Sequence, residues 1–346
     1  MNRNIKYILG SCLLLTCIEA CTDSPKNLNE STILKTGKEI PVQPINYPHE
    51  VIMSPPNGIL LVNDTTLYVF QTNRDVAALV IDATDGHPQK NWGQRGSGPE
   101  DWSYPRSWGE QNGTYYVWDQ MLSELRAFQA EDQDTIMNLQ PVSKQRLKLS
   151  GLLISDGTVL ANQKAVLCNI HDTEQPLLLT NDQLDTLISF GRPNLLPTQA
   201  HISALNGSLS SFQNTFVYAL LDFGYIACYE QTGEKDVELK WEHYLDKPVL
   251  DESGQFDKAL VKRGFGCTLM SKHYIFANYS GEHANRERLP YKHILMFDQE
   301  GNLLNNFSLE NGVTSLAISS DEKTLYAISF QPEPTIVQID LSTYTH

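Results

Sequence analysis

The densest glycine stretch of the chain, NWGQRGSGPEDW (residues 91–102), is the first segment whose residue types suggest chemistry. A Walker phosphate loop needs a lysine and a hydroxyl residue directly after its last glycine, but Pro99 follows Gly98 here. A dinucleotide-binding turn needs a third glycine, and Asp101 stands at that position. Pro99 also lacks the backbone N–H that would bind a phosphate oxygen. Both phosphate-binding interpretations therefore fail.

The same stretch predicts a turn in a long connection between two strands, where glycines supply left-handed backbone conformations. Glu100 and Asp101 are adjacent, so they do not form the spaced pair of carboxylates that a glycosidase uses. Arg95, Glu100 and Arg106 are candidates for ion pairs within the loop or, alternatively, for contact with a ligand.

A second group of charged residues lies in NYSGEHANRERLPYKH (residues 278–293), which interrupts two apolar segments. Polar loops inserted into a rigid scaffold often carry binding function. Arginine beside tyrosine suits recognition of a carboxylate or a sugar. The alternative is a solvated hairpin tip without function. The candidate ligand-binding residues of this segment are Tyr279, His283, Arg286, Arg288 and Tyr291.

Signals for metal binding and for nucleophilic catalysis are weak. The nine histidines form no HxH, HxxxH or HExxH pattern, and Glu282-His283 with His293 is the only local candidate set in the sequence. The GxSxG motif of hydrolases is absent, and Gly96-Ser97-Gly98 lacks the strand–turn–helix context of that motif. We therefore predict no catalytic residue, no metal site and no cofactor.

Four tryptophans and three cysteines lie in or next to apolar, strand-like segments. We expect the tryptophans to pack within and between sheets, with stacking against a carbohydrate as the alternative. The cysteines are too widely spaced for a CxxC motif or a disulfide framework, so we expect them to be buried. These residues are Trp92, Trp102, Trp108, Trp118, Cys168, Cys228 and Cys267.

The elements that must position these residues are strands, because short β-branched and aromatic runs bounded by Gly, Asn, Asp and Pro dominate the chain after residue 37. Polar turns between two such runs recur near residues 82, 129, 181, 230, 298 and 340, at separations of 42 to 68 residues. A four-stranded blade of a β-propeller has this size.

The fold class is therefore all-β, and we predict a six-bladed β-propeller over residues 38–346. The sixth copy of the repeat ends at His346 before an outer strand can form. KEIPVQPIN (residues 38–46) is a strand-like segment without a blade of its own. We expect this N-terminal strand to close the last blade, which removes an open sheet edge. A β-sandwich or jelly roll is the alternative.

Two segments match patterns of a known family. LAISSDEKTLYAIS (residues 316–329) follows the hairpin pattern SPDGKxLY, with Glu322 where glycine is usual. GQRGSGPEDW, followed by YYVWDQMLSELRAF, resembles a G-x-G-P-x-E stretch and a V-x-D blade pattern. In these motifs the chain resembles TolB-like and NHL-like six-bladed propeller lipoproteins of Bacteroidetes. The resemblance implies the propeller fold and a place at the cell envelope, without implying a reaction.

The N-terminus, MNRNIKYILGSCLLLTCIEAC, predicts a signal peptide over residues 1–20, because basic residues precede an apolar run and a small residue before Cys21. Ile18-Glu19-Ala20-Cys21 resembles a bacterial lipobox. We expect lipidation of Cys21 and anchoring in the outer membrane, on its periplasmic or its outer face. Cleavage before Cys17 and an ordinary secretory signal are the alternatives. Residues 21–37 are polar and aperiodic, which predicts a flexible tether.

The formal net charge of −15 at pH 7 argues against nucleic acid as a partner. Together with the lipobox and the repeat, it predicts a non-enzymatic module that binds a protein or a glycan at the channel of the propeller. An enzyme that acts on polysaccharide, a lyase or a hydrolase, is the alternative. Such an enzyme would bring several titratable side chains together in one pocket, and a docking module would not.

Overall fold

The computed structural model describes residues 28–45, 56–72, 75–133, 136–148, 152–170, 174–196, 200, 202–246, 248–257, 260–283, 291–329 and 333–345. The signal peptide, Cys21, Arg286 and Arg288 lie outside these residues. Within the described ranges, none of the helices has the length and apolar character that crossing a membrane requires.

Short antiparallel strands form most of the described chain, as the alternation of apolar runs and turns predicted. The N-terminal elements are helix α1 (Glu30–Thr36), β1 (Lys38–Glu39) and β2 (Gln43–Pro44). The first eight strands after them are β3 (Gly58–Val62), β4 (Thr66–Phe70), β5 (Val76–Asp82), β6 (Pro88–Gln94), β7 (Pro105–Gln111), β8 (Thr114–Asp119), β9 (Glu124–Gln133) and β10 (Ile136–Arg146).

The remaining strands continue this series. They are β11 (Ile154–Val159), β12 (Ala165–Asn169), β13 (Leu177–Thr180), β14 (Thr186–Phe190), β15 (Gly207–Phe212), β16 (Thr215–Leu220), β17 (Tyr225–Gln231), β18 (Val237–Tyr244), β19 (Phe265–Met270), β20 (Tyr274–Tyr279), β21 (Tyr291–Asp298), β22 (Leu303–Ile318), β23 (Thr324–Ser329) and β24 (Thr335–Asp340). A short 3-10 helix, Ile202–Leu205, precedes β15.

Strands β3 to β18 form four sheets of four consecutive strands, and an eight-stranded sheet contains the rest. The first strands of these sheets contact one another in the closed order β3, β7, β11, β15, β19, β22 and back to β3. Hydrophobic clusters fill the space between neighbouring sheets. One of them joins Ile59 and Leu67 of the first sheet to Ile328 and Ile336 near the C-terminus. Sheets packed radially around a channel form a β-propeller, which confirms the all-β propeller fold.

The C-terminal part differs from six separate sheets. Residues 303–308 of β22 pair with β21, and residues 313–318 of the same strand pair with β23. The last two predicted blades therefore form one eight-stranded sheet, because the backbone between them stays extended instead of turning.

The N-terminal segment pairs with the C-terminal strand, which confirms that part of the prediction for residues 38–46. Gln43 lies opposite Gln338 and Pro44 opposite Val337 in the antiparallel pair of β2 and β24. The pairing of Lys38 and Glu39 differs from the prediction, since their strand β1 pairs in parallel with β22 and not with β24. The expected single strand is thus two short strands that contact different parts of the last sheet.

Helix α1 differs from the expected flexible tether over residues 21–37. Asn29 caps it by accepting a hydrogen bond from Ser31 N at 2.8 Å. Ile33 is 1% exposed and packs into the cluster that includes Phe265 and Tyr279. The segment lacks helical periodicity because Ile33 is its one buried apolar side chain, while Glu30 docks through polar contacts with Lys262 and Tyr279. The helix is stabilised by tertiary packing and not by its own propensity.

Candidate functional site

The central channel holds a cavity of about 830 Å³ that runs along the first strands of the sheets. Hydroxyl-bearing residues are the most numerous polar residues of its lining, which also contains six charged side chains. Cavities of roughly 300–1,000 Å³ are typical of sites for small ligands. The hydroxyl-bearing lining residues are Ser107, Tyr115, Ser208, Ser210, Ser211, Thr268, Ser271, Thr314, Ser315, Ser319 and Ser320.

One ring of six side chains links the first strands to one another around the channel. We call it the channel belt; it consists of Asn57, Arg106, Asp156, Ser208, Cys267 and Ser315, all of which line the cavity. The belt positions are separated by 48 to 59 residues in the sequence. They therefore recur once per repeat.

Each belt residue contacts the backbone of the next first strand. The hydrogen bonds run from Asn57 Nδ2 to Pro105 O (2.8 Å), from Arg106 Nη1 to Ser155 O (2.8 Å), from Leu209 N to Asp156 Oδ2 (3.0 Å), from Thr268 N to Ser208 Oγ (3.1 Å) and from Ile59 N to Ser315 Oγ (3.0 Å). First strands expose unpaired backbone groups toward the channel, and the belt satisfies one of them at each of these junctions.

The sixth belt residue, Cys267, completes the ring. Burial raises the pKa of its thiol to about 12, although a hydrogen bond with the backbone of Ser315 lowers this pKa in part. Cys267 is therefore a neutral thiol at physiological pH and a poor nucleophile. The prediction that cysteines are buried is confirmed for Cys168 and Cys228, whereas Cys267 is half-buried at the channel wall.

Irregular backbone brings several belt side chains to the channel. The strand register shifts between Ile154 and Asp156 in β11 and between Thr314 and Leu316 in β22. Ser315 has a left-handed φ of 50°. A β-bulge bends its strand and redirects the side chains beside it. The shifts thus explain how residues of regular sheets turn toward the channel axis.

Two residues of the channel belt are charged, Arg106 and Asp156. Asp64, Glu110, Lys272 and Glu322 also line the cavity. Burial raises the pKa of Asp156, and the positive charge of Arg106 lowers it in part. Asp156 accepts hydrogen bonds from Leu209 N at 3.0 Å and from Gly157 N at 3.0 Å. Both oxygens of the carboxylate are thus engaged with backbone N–H groups.

The glycine-rich stretch does not line the cavity. The Arg95 guanidinium donates to Thr72 O and Ser103 O, so it joins the loop to the neighbouring connection. Glu100 is exposed, and its carbonyl accepts from Arg126 Nη1 at 3.0 Å. These contacts agree with the interpretation of the stretch as a structural turn. Of the three candidates on this side of the molecule, only Arg106 lines the cavity.

Arg126, which the sequence analysis did not single out, holds the same stretch. It donates from Nη2 to Asp101 O at 2.8 Å and forms an ion pair with Glu124 Oε2 at 3.0 Å. Its guanidinium lies 4.0 Å above the Trp102 ring. Such a stacked, hydrogen-bonded arginine fixes a loop in place.

The candidates of the 278–293 segment separate in space. Tyr279 is 1% exposed and donates to Glu30 Oε1 at 2.9 Å, which leaves no surface for a ligand. Burial, assisted by the charge of Glu30, raises the pKa of Tyr279. His283 is exposed, and its backbone pairs with that of Lys262 in an isolated antiparallel β-bridge. Tyr291 is not among the residues that line the cavity; its ring packs against Gly266, which does line it.

The tryptophans pack as expected. Trp108 and Trp118 stack with ring centroids 4.6 Å apart, and Trp92 and Trp102 lie 5.2 Å apart. Trp102, Trp108 and Trp118 are each at most 5% exposed. Within the described part of the chain, no three His, Cys, Asp or Glu residues are placed to hold a metal ion.

Comparison with known proteins agrees on the fold. Neither a protein-family model nor a curated protein matches the sequence. A Bacteroides fragilis protein named a "putative exported protein" has a TM-score of 0.56 at 11% identity, over 91% of this chain and 97% of that chain. The RRP9 WD40 repeats have a TM-score of 0.50 at 9% identity, over 86% and 97%. A Lactobacillus plantarum protein has a TM-score of 0.51 at 10% identity, over 84% of this chain and 82% of that chain. These likenesses show the propeller fold alone.

Proposed function

We propose that this protein is a lipid-anchored, non-enzymatic module of the cell envelope that binds a glycan in the channel of a six-bladed, TolB-like β-propeller. The number of six blades is reached by treating the eight-stranded sheet as two blades that share β22. Its residues 303–308 complete one blade through β21, and its residues 313–318 begin the next through β23. β2 supplies the outer strand of the last blade.

The observation that carries the proposal is the hydroxyl-rich cavity of about 830 Å³. Hydroxyl groups and backbone carbonyls suit a ligand that itself presents many hydroxyl groups. The cavity is too small for a folded protein. Two titratable groups that line it, Asp156 and Cys267, are engaged with backbone groups of a neighbouring strand, which favours binding over catalysis.

We expect a substitution that fills the channel to abolish glycan binding. Thr314 lines the cavity and is half-buried, so Thr314→Trp places an indole inside it. The matched control is Thr186→Trp on the exposed face of the outer strand β14. Isothermal titration calorimetry with neutral and acidic oligosaccharides should show at least a tenfold loss for Thr314→Trp alone. Equal binding by both variants, or binding of a protein partner without any saccharide, would contradict the proposed ligand site.

The position of α1 supports an anchor on one side of the propeller. Eight residues separate Cys21 from Glu30, so their Cα atoms can lie at most about 32 Å apart when the chain is extended. Glu30 N bonds to Leu245 O at 3.0 Å, just after β18, and the Glu30 carboxylate pairs with Lys262, just before β19. A lipidated Cys21 would therefore hold this end of the channel near the membrane.

Cys21→Ala tests the anchor directly. The variant lacks the thiol that accepts the lipid, so we expect it to move from the membrane fraction to the soluble fraction. Cys17→Ser, which removes the alternative lipidation site, should stay in the membrane fraction. Immunoblotting of fractionated cells gives the readout. Retention of Cys21→Ala in the membrane would assign the anchor to another residue.

A further inference from the structure

The two faces of the propeller carry different loops. The strands of each sheet are consecutive and antiparallel, and the channel belt joins the starts of the first strands to one another. The connections between sheets and the turns between second and third strands therefore lie at the face where the first strands start, which we call the loop face. The other turns lie at the opposite face, the turn face. The loop face includes residues 95–104, 120–123 and 248–257, and the turn face includes residues 63–65, 181–185 and 319–323.

Exposed apolar side chains are concentrated on the loop face. Nine large hydrophobic side chains are exposed among the described residues, and six of them lie in segments of the loop face or on α1. These six are Leu34, Met121, Leu153, Leu195, Val249 and Leu260. The other three, Val142, Leu239 and Leu304, lie on the outer strands β10, β18 and β22. Within the described turns of the turn face, no large hydrophobic side chain is exposed.

This distribution points to an interaction surface. Single exposed leucines are ordinary in soluble proteins and would be expected on both faces. The turns of the turn face instead expose polar side chains, such as Asp182 and Gln183. On the loop face, Met121 is 72% exposed and Leu260 is 58% exposed. Apolar side chains gathered on one face are typical of a surface that contacts a protein or a membrane.

The position of the N-terminal segment favours a membrane as the occupant. The described chain begins seven residues after Cys21. Helix α1 docks on the loop face, because Glu30 N bonds to Leu245 O and a β-carbon on Gly281 would lie 3.0 Å from Leu34. The chain thus enters the propeller at its apolar face. A lipid on Cys21 would keep that entry point within about 25 Å of the membrane, since a residue spans at most about 3.6 Å.

The charge of the chain narrows the choice of lipid. The formal net charge of −15 disfavours attraction to anionic head groups. Insertion of leucine and methionine side chains at the lipid interface requires no charge on the head group. A zwitterionic lipid surface therefore fits the loop face better than an anionic one.

From this placement we propose that the loop face rests on a zwitterionic lipid surface, with side chains such as Met121, Leu195 and Leu260 inserted between the head groups. This inference rests on the proposed lipid anchor. The anchor supplies one attachment and the apolar side chains supply a second, so the propeller is held in one orientation. The mouth of the channel at the turn face, which Asp64 and Glu322 line, would then open away from the membrane and admit the ligand.

The test uses the full lipidated chain, reconstituted into phosphatidylcholine vesicles that contain lipids with a nitroxide on the upper acyl chain. A bimane fluorophore is attached through Met121→Cys on the loop face or, in a second protein, through Gln183→Cys on the turn face. The wild type, treated in parallel, gives the contribution of Cys267. We expect the nitroxide to reduce the fluorescence of the first label by about half or more and to leave the second unchanged.

Two double variants separate lipid contact from tethering. Leu195→Glu with Leu260→Glu places two charges on the loop face and should abolish the quenching of the label at Met121→Cys. The matched control is Val142→Glu with Leu239→Glu, which changes two similarly exposed apolar side chains on outer strands. It should leave the quenching unchanged.

The outcomes separate this inference from the proposed anchor. If the chain floats with the vesicles but neither label is quenched, or both are quenched equally, the inference is wrong while the anchor stands. Quenching that neither double variant changes would show that the tether alone brings the loop face close, which also contradicts the inference. A blue shift of the label at Met121→Cys in native membranes, without quenching in pure vesicles, would assign the face to a protein partner. If the chain does not float with the vesicles, the proposed anchor fails, and the inference with it.

Discussion

Asp119→Ala is expected to destabilise the protein by about 4 kcal/mol, the larger of two effects that the backbone contacts predict. Asp119 is fully buried at the end of β8, and its carboxylate accepts four backbone N–H bonds. They come from Ser103 (2.6 Å), Tyr104 (3.2 Å), Met121 (3.1 Å) and Leu122 (3.1 Å). Each buried donor left without an acceptor costs roughly 1–3 kcal/mol, and water that enters recovers part of this.

Urea denaturation followed by tryptophan fluorescence measures this effect, since Trp108 and Trp118 lie beside the site. Asp119→Asn keeps one acceptor oxygen and should lose about half as much stability. Asp251 offers a matched control, because its carboxylate also accepts backbone N–H bonds, from Ser253 and Gln255, but at an exposed turn. Asp251→Ala should change stability far less. Similar losses for Asp119→Ala and Asp251→Ala would show that burial of the acceptor has little effect here.

Gly264→Ala is expected to destabilise the protein by about 3 kcal/mol or more through backbone overlap. A β-carbon at Gly264 would overlap the carbonyl group of Phe223 and lie 2.5 Å from Leu220 O. These are backbone atoms, so no side-chain rotation relieves the overlap. Gly264 N also bonds to Leu221 O at 2.8 Å, which holds the two segments together. The β19 end of the channel would have to shift.

Gly113→Ala separates this steric effect from the effect of backbone conformation. Gly113 has a left-handed φ of +78° and no neighbouring atom within 4 Å of an added β-carbon. Its substitution should therefore cost only about 1 kcal/mol, from conformational strain. Thermal denaturation of both variants provides the comparison. A Gly264→Ala protein as stable as the wild type would place the two backbone segments farther apart than the structure does.

Local patterns were sufficient for the strands and for much of their pairing. The turns that join β5 to β6 and β13 to β14 lie where the sequence predicted them. They were predictable because a turn depends on residues that are only a few positions apart. The pairing of β2 with β24 was also predictable, since the repeat lacks an outer strand at the C-terminus and has a spare strand at the N-terminus.

The candidate site was less predictable. Arg106 was among the candidates, but nothing in its neighbourhood separated it from Arg95, which joins two loops and does not line the cavity. Asp119 lies within the V-x-D pattern, yet its four backbone donors come from two segments that meet only in the fold. Aligning the starts of the first strands at the period of the repeat would have placed Asn57, Arg106 and Ser208 in one series.

Composition, repeat spacing and turn chemistry by themselves determined that this chain forms radially packed β-sheets, because these signals act between near neighbours in sequence. The tertiary structure alone decided that α1 docks instead of remaining mobile, that β22 spans two sheets, and that one arginine of several reaches the channel. These outcomes depend on contacts between residues such as Ile33 and Phe265 that are more than two hundred positions apart. No local pattern records contacts of that kind, since their free energy comes from surfaces that meet only after the ring has closed.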